Sequence, residues 1–280
     1  MLILALMVSA SDSTYELNVG RRIKPSDKYL WVTSVDTREQ HLVRIQTGPP
    51  SDSVMHLRLN ISAMVEVVSV TAEGEEHEKL LTIRNCSVKH NDRVIDLVPT
   101  GSIIRAIFTE KGTKLLLNNR PMPDSVSRYI GASIHAEGGD KTKRILDPGS
   151  PKKLQQTWDM KTKSLLSLVD RSVVIISPES FTGMVTFHRL DTVEGRPNAF
   201  VIGSARADKV KFPAMKGVKL DHSILDMIVS VNVPLDKRYP ETANSSYVMM
   251  GFDAKVPGPD GKTAIYAWNF ARTQVSTFER

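Results

Sequence analysis

Apolar and polar residues alternate along most of this chain, and this period of two constrains the fold more than any other feature. In the stretch Met55–Ile61 every second residue is apolar, and comparable runs begin at Tyr29 and Gly183. Turn-forming residues at 73–74 and 257–261 separate such runs. Alternating segments bounded by Gly, Pro, Asn and Asp are typical of antiparallel strands. The chain of 280 residues, 41% apolar, is long enough to bury a substantial core.

Two segments break the alternation and predict short helices. Asp124 is expected as the N-cap of the first, in which Val126, Ile130 and Ile134 lie at helical spacing until the glycines at 138–139. The second covers about 161–169. The prediction is an α+β protein, predominantly antiparallel β, with two curved, half-barrel-like sheets and a short helix against one face of each.

The polar, glycine-containing stretch 138–144 indicates a boundary between two parts. We therefore predict an N-terminal β-rich domain at 14–140 and a C-terminal β-rich domain at 141–280. Met64-Val65 before the turn at 73–74 is matched by Met184-Val185 before the turn at 194–195. Two matched dipeptides leave open whether the halves arose by duplication.

The N-terminus begins with the apolar run Met1–Val8, followed by small and polar residues. Val8-Ser9-Ala10 fits a signal-peptidase site, although no positively charged residue precedes the run. We interpret 1–13 as the remnant of a signal peptide and expect an exported, periplasmic or secreted protein; an N-terminal edge strand is the alternative. No other apolar run approaches about 18 residues, so no transmembrane segment is expected.

Positive charge is concentrated in the second half of the chain. The net charge is +6 overall, −1 over 1–140 and +7 over 141–280. The candidate basic surface consists of Arg206, Lys209, Lys211, Lys216 and Lys219. Such a face attracts an anionic partner, a lipid headgroup or an acidic polysaccharide, or is simply solvated. No nucleic-acid-binding motif is recognisable, and no nucleic acid partner is expected.

No motif identifies a reaction. No histidines have zinc-site spacing, and no glycine-rich loop would hold a nucleotide, so we expect no catalytic residues, metal or cofactor. Asp221 and Asp226 are unspecific candidates for a carboxylate pair. Cys86, the single cysteine, is expected to be a small core residue. Three tryptophans either line a sugar- or lipid-binding surface or anchor the core: Trp31, Trp158 and Trp268.

Five short motifs resemble those of a family of exported, β-rich bacterial proteins of unknown function. They are Pro25–Tyr29, Met55–Val70, Val98–Gly101, Pro151–Trp158 and Gly183–Phe187. Gln155 and Gln156 depart from the family pattern, which has Gly and an acidic residue there. The resemblance implies a two-part protein without known catalytic residues, and it transfers no site.

Together these features favour a non-catalytic exported or envelope-associated binding protein. Its partner would be either an apolar ligand held against a curved sheet or an anionic envelope polymer held by the basic second half. Two alternatives stay open. One is a structural assembly subunit; the other is a hydrolase with unidentified carboxylates, which would show two or more buried carboxylates in a cleft.

Overall fold

The computed structural model describes residues 13–17, 19, 23–45, 49–72, 74–90, 92–109, 112–131, 133–134, 145–166, 173–236, 239, 242–258 and 262–279. Strands dominate this part of the chain. They are β1 (Thr14–Tyr15), β2 (Lys28–Ile45), β3 (Ser51–Val70), β4 (Glu76–His90), β5 (Arg93–Asp96), β6 (Ile103–Thr109), β7 (Gly112–Leu117), β8 (Arg120–Pro121), β9 (Lys152–Lys153), β10 (Thr157–Asp159), β11 (Phe181–Val193), β12 (Arg196–Asp208), β13 (Leu220–Pro234), β14 (Ala243–Pro257) and β15 (Thr263–Glu279). The helices are α1 (Asp124–Ile130) and α2 (Thr162–Leu166), with 3₁₀ turns at Pro178–Ser180 and Pro213–Met215.

Thirteen strands form one antiparallel sheet. Their order is β10-β11-β12-β13-β14-β15-β2-β3-β4-β6-β7-β8, with β5 paired to β4, while β1 and β9 form a separate two-stranded sheet. The expectation of a predominantly antiparallel β protein is confirmed. The expected division into two large sheets is not what the structure shows, because β15 pairs with β2 from Ala264 opposite Ile45 to Glu279 opposite Leu30. This pairing removes two long edges that separate sheets would expose.

Two hydrophobic cores lie on one face of this sheet. The even-numbered residues of β15 point to one side, and its pairing with β14 and β2 has no register shift. Tyr266, Trp268 and Phe270, in the first half of β15, pack half-buried against a core formed mainly by β11–β14, which we call the C-terminal core. Phe278, at its other end, packs in a core formed mainly by β2–β7, the N-terminal core. One strand thus contributes to both cores.

The two cores also exchange residues between the halves of the chain. Leu17 and Val19 precede β2 in the sequence but pack in the C-terminal core, whereas Phe278 packs in the N-terminal core. The division at 140/141 lies outside the described residues, and the two-domain organisation stays a prediction. The proposed signal-peptide remnant likewise lies outside them, except for residue 13.

Helix α1 is shorter than the sequence predicts, whereas residues 167–169, the end predicted for the second helix, lie outside the described residues. Helix α1 begins at Asp124 with Pro123 as its N-cap, so the assignment of Asp124 as the cap is wrong. It ends at Ile130, and the glycines at 138–139 lie outside the described residues. Ile130 packs in the N-terminal core and Leu165 of α2 in the C-terminal core. Among the described helices, none is long and apolar enough to cross a membrane.

Candidate functional site

Four of the five predicted basic residues lie on the connection between β12 and β13, which we call the basic loop (209–219). The loop carries Lys209, Lys211, Lys216 and Lys219, all exposed, and Arg206 lies near the end of the preceding strand. The β12–β13 pair nearest to the loop joins Asp208, which precedes it, to Ile224, which follows it. The basic loop is therefore held between two paired strand ends.

Backbone hydrogen bonds hold this loop in place at both ends and in its middle. The Lys209 amide donates to the Ser223 carbonyl at 2.9 Å, which closes the base. Lys211 exchanges two backbone hydrogen bonds with Ile175, of 2.8 and 2.9 Å. The 3₁₀ turn Pro213–Met215 and Gly217, with a φ of 85°, reverse the chain between them. These bonds fix the loop backbone, and with it the positions from which the lysine side chains extend.

A cavity of about 860 Å³ lies beneath the basic loop. Its apolar lining comes from Ile175, Val210, Phe212, Met215, Val218 and Leu220. Val210 and Phe212 are buried and belong to the C-terminal core, so one wall of the cavity is part of that core. Its volume lies within the range of about 300–1,000 Å³ common for small-molecule sites.

Three lysines add positive charge to this apolar cavity. Lys209, Lys211 and Lys216 line it, while Lys219 lies in the same loop outside the lining. Of the described carboxylates, none lies within 4.0 Å of the four ammonium groups. The loop therefore presents positive charge that the described acidic residues do not neutralise.

The two carboxylates that line the cavity, Asp208 and Asp221, each lie within 4.0 Å of a basic side chain outside the lining. Arg206 Nε lies 3.2 Å from Asp208 Oδ1, and Lys255 Nζ lies 3.9 Å from Asp221 Oδ2. Asp208 and Asp221 are exposed. Asp226, the other carboxylate considered for a hydrolase, also pairs with Arg206, at 3.8 Å. The described cavity lining thus supplies two exposed, ion-paired carboxylates rather than the buried pair that would indicate a hydrolase.

Lys209 itself has an unusual backbone conformation. Its φ of 58° lies in the left-handed region, which residues other than Gly, Asn and Asp seldom occupy. Strain of this kind is found where the surrounding structure holds a residue in place, often at functional sites. Lys209 is held at the base of the loop by the hydrogen bond from its amide to the Ser223 carbonyl.

An aromatic cluster supports the cavity wall from behind. The Phe212 ring lies 5.0 Å from Phe252 and 5.5 Å from Trp268, centroid to centroid. Trp268 Nε1 donates a hydrogen bond of 2.8 Å to Glu39 Oε1 on β2. The indole is therefore fixed by one hydrogen bond and by its packing against the wall, which makes Trp268 a fluorescent reporter of the cavity.

A polar group on β2 and β15 completes this support. His41 Nε2 lies 3.1 Å from Glu39 Oε1, and His41 Nδ1 lies 2.8 Å from the Tyr266 hydroxyl. Burial raises the pKa of Tyr266, and the negative charge of Glu39 raises it further. Tyr266 is thus a neutral phenol. His41 and Tyr266 position Glu39, which accepts the hydrogen bond from Trp268.

The other singled-out residues are distributed between the two cores. Trp31 is 3% exposed in the N-terminal core, and Trp158 packs half-buried against the C-terminal core. Cys86 is 1% exposed, and burial, with the Asp96 charge as a smaller cause, raises the pKa of its thiol to about 11. The assignment of Cys86 to the core is confirmed.

Sequence reasoning found the lysines but missed the cavity. The segment 209–220 alternates lysines with Val210, Phe212, Met215, Val218 and Leu220, and this mixture was the available signal. Ile175 lies 36 positions before Lys211 in the chain, and no local pattern connects them. The charges were therefore predictable, whereas the apolar cavity depended on a long-range bridge.

The fold and this site define a predominantly antiparallel β protein with an apolar, lysine-bearing cavity. No known protein family and no curated protein matches the chain. A structure of lipid–protein interactions in lipovitellin matches with a TM-score of 0.40 at 10% identity, covering 92% of this chain and 25% of that one. The chain thus spans a quarter of the lipovitellin chain.

Two other solved structures are similar at lower scores. DynF, from the dynemicin biosynthesis pathway of Micromonospora chersina, has a TM-score of 0.20 and 9% identity, covering 95% of this chain and 86% of its own. OpdQ of Pseudomonas aeruginosa has a TM-score of 0.19 and 8% identity, covering 90% and 97%. All three likenesses are too distant to bear on function.

Proposed function

We propose that this protein is a non-catalytic binding protein for an amphipathic anionic ligand. The apolar part of the ligand occupies the cavity, and its anionic group lies against Lys209, Lys211 and Lys216. The observation that carries the proposal is that these three lysines line an apolar cavity and that their ammonium groups have no described carboxylate partner. A carboxylate, sulfate or phosphate group on the ligand would supply the missing charge.

The chemistry of the lining supports both halves of such a ligand. Its apolar residues include two from the C-terminal core, which favours contact with a hydrocarbon body. A ligand site of this kind combines a mostly apolar surface with a few polar groups that fix orientation. An anionic polymer without an apolar part would leave that surface unused. An amphipathic anionic ligand therefore matches the lining better than either the apolar ligand or the anionic polymer considered from the sequence.

We include export and an envelope location in the proposal. They are inferred from the apolar N-terminal run in the sequence, which lies outside the described residues. The resemblance to exported bacterial proteins of unknown function fits the same location. A carrier or reservoir for an amphipathic molecule is a role that such a location accommodates.

Binding of oleate, measured by titration calorimetry and by the fluorescence of the tryptophans, tests the proposed function. We expect binding by the wild-type protein and about ten-fold weaker binding by Lys211→Gln, since a charge-assisted hydrogen bond contributes about 1.5 kcal/mol. Oleyl alcohol, which lacks the charge, should distinguish the two proteins much less. Lys114→Gln, an exposed change on β7, is the matched control and should bind oleate like the wild type.

Two results would contradict the proposed function. One is a wild-type protein that binds neither oleate nor another single-chain anionic amphiphile. The other is equal affinity for oleate in the Lys211 and Lys114 variants, because the loop lysines would then play no part in binding.

A further inference from the structure

We infer that the basic loop docks on the surface of an anionic lipid bilayer, so that the cavity takes up its ligand at the membrane. The inference rests on the proposed function only in naming the ligand that the cavity takes up. The docking itself is a property of the loop surface and is argued from its charge, its apolar residues and its hydrogen bonding.

Charge is the first argument for this partner. Lys209, Lys211, Lys216 and Lys219 are exposed within eleven residues, and the described part of the chain provides no acidic partner for them. The nearest strand-end carboxylates, Asp208 and Asp221, are already paired with Arg206 and Lys255. Clusters of lysines of this size are attracted to bilayers that contain anionic lipids.

The tip of the loop adds apolar surface between these charges. Pro213 and Ala214 are exposed, and Met215 and Val218 are half-buried next to Lys216. Apolar groups flanked by lysines suit the boundary between headgroups and acyl chains. An acidic polysaccharide would neutralise the lysines but would offer nothing to this apolar tip, and we therefore assign the surface to a bilayer.

The backbone of the loop is already ordered before it meets a bilayer. Hydrogen bonds from Met215 to Phe212 and from Val218 to Met215, of 2.9 and 3.0 Å, close its turns, and the bridge to Ile175 fixes its base. A preformed surface loses little conformational entropy on docking. Lys216 belongs to both the cavity lining and the exposed loop, so the docked face and the ligand site are adjacent.

Lys219→Glu is the variant that separates docking from ligand binding, because Lys219 is exposed in the loop but outside the cavity lining. Lys114→Glu, with the same charge change on β7, is the matched control. Co-sedimentation is measured with phosphatidylcholine vesicles and with vesicles that also contain phosphatidylglycerol. Each charge near an anionic surface changes partitioning roughly five-fold, so Lys219→Glu should bind the anionic vesicles roughly 30-fold more weakly.

We expect the wild type and Lys114→Glu to bind the anionic vesicles and not the neutral ones. Both proteins should dissociate from the anionic vesicles at high salt. Equal binding to both kinds of vesicle, or equal losses in the Lys219 and Lys114 variants, would overturn the inference. So would binding to dextran sulfate without binding to vesicles, which would assign the loop to a polyanion.

Oleate binding in solution makes the two proposals separable. Lys219→Glu should retain wild-type affinity for oleate while losing affinity for vesicles. A protein that binds oleate but no anionic vesicle would retain the proposed function and refute the docking. A protein that binds anionic vesicles through Lys219 but no amphiphile in solution would refute the proposed function and retain the docking.

Discussion

At the scale of single residues, a charged pair is enclosed in the N-terminal core. Lys79 Nζ lies 2.7 Å from Glu76 Oε2, and the two side chains are 3% and 0% exposed. The Tyr29 hydroxyl donates to the other oxygen of Glu76 at 2.7 Å, and Lys79 Nζ lies 5.3 Å from the Phe108 ring centroid. Hydrogen bonds and the aromatic face thus replace the water that both charges lose on burial.

Removing one partner of this pair should be far more damaging than removing an exposed one. We expect Lys79→Met to lower the free energy of unfolding by about 3–5 kcal/mol, since Glu76 would keep its burial and lose its ion pair. Lys28 and Glu66 form an exposed pair at 3.0 Å, and Lys28→Met should cost less than about 1 kcal/mol. Urea denaturation of both variants tests this; similar losses would show that burial of the pair has no energetic consequence.

Cys86 should make stability depend on pH in the alkaline range. Its thiol has a pKa of about 11 when folded, above the ordinary value of 9.0, because burial disfavours the thiolate. Below pH 9 both states keep the proton, and the full contribution is present. Between pH 9 and 11 only the unfolded state loses it, so stability falls with rising pH, by about 3 kcal/mol in all.

Urea denaturation of wild type and Cys86→Ala across this pH range measures the effect. The difference in unfolding free energy between the two proteins should shrink as the pH rises above 9, whereas other titrating groups affect both equally. A difference that stays constant from pH 8 to 11 would mean that the thiol ionises normally in the folded protein.

The residue scale shows where sequence patterns suffice. The sequence left Trp31 open between the core and a binding surface, whereas Cys86 was assignable to the core because cysteine is usually buried. Lys79 was not, since lysine is almost never buried and its partners come from two other strands and its own. Gln155 has a φ of 63°, a conformation that only glycine adopts without a steric cost and that alternation does not predict.

At the scale of secondary-structure elements, two hairpins form the same type of tight turn from different residues. The β7–β8 and β11–β12 turns each have two residues with positive φ, 49° and 64° at Asn118-Asn119 and 50° and 74° at Glu194-Gly195. Two-residue loops with positive φ at both positions are type I′ turns, whose twist matches that of the flanking strands. Asparagine tolerates this conformation, whereas glutamate does so at a cost.

Glu194→Asn should therefore stabilise the protein, by about 0.5–1 kcal/mol, through relief of backbone strain. The ion pair that it removes, between Glu194 and Arg196 at 3.7 Å, is exposed and contributes little. Thermal unfolding measures the change. Gly195→Ala is the opposite control and should destabilise the protein by about 1 kcal/mol; a neutral result for both would show that the turn adapts to any residue.

Alternation predicted the long strands well because neighbouring side chains on a strand point to opposite faces. It was less informative about helix ends. The Ile134 amide still donates to the Ile130 carbonyl at 3.1 Å, so the four-residue spacing continues one turn beyond α1 although the helix has ended. The spacing of Ile130 and Ile134 was real, but a buried turn rather than a longer helix produces it.

At the scale of the whole molecule, the pairing of β15 with β2 joins the ends of the chain. Trp268 and Glu39, which share a hydrogen bond across these strands, are 229 residues apart in sequence. Alternation marks both strands but says nothing about which strands are neighbours. For this reason the sequence predicted two large sheets where the described residues form one large sheet, and it gave no indication that Phe278 and Leu17 pack in the cores of the opposite halves.

This exchange predicts that the halves do not fold separately. Residues 1–140 alone would lack Phe278 and would expose the edge of β2, and residues 141–280 alone would lack Leu17 and expose β15. Long unpaired strand edges associate rather than stay soluble. We expect each half to aggregate or to show no cooperative unfolding by circular dichroism, and the two halves to form a folded complex when co-expressed.

A point variant of the intact chain makes the same test without cutting it. Phe278→Ala removes a ring that is 6% exposed in the N-terminal core, and we expect a loss of about 3–5 kcal/mol in a single unfolding transition. Val275→Ala, on the opposite face of β15 and 47% exposed, should change stability by less than about 0.5 kcal/mol. Two separate transitions, with only one shifted by Phe278→Ala, would show that the shared strand does not couple the cores. A single shifted transition would mean that β15 makes the two cores one cooperative unit, because its side chains pack in both.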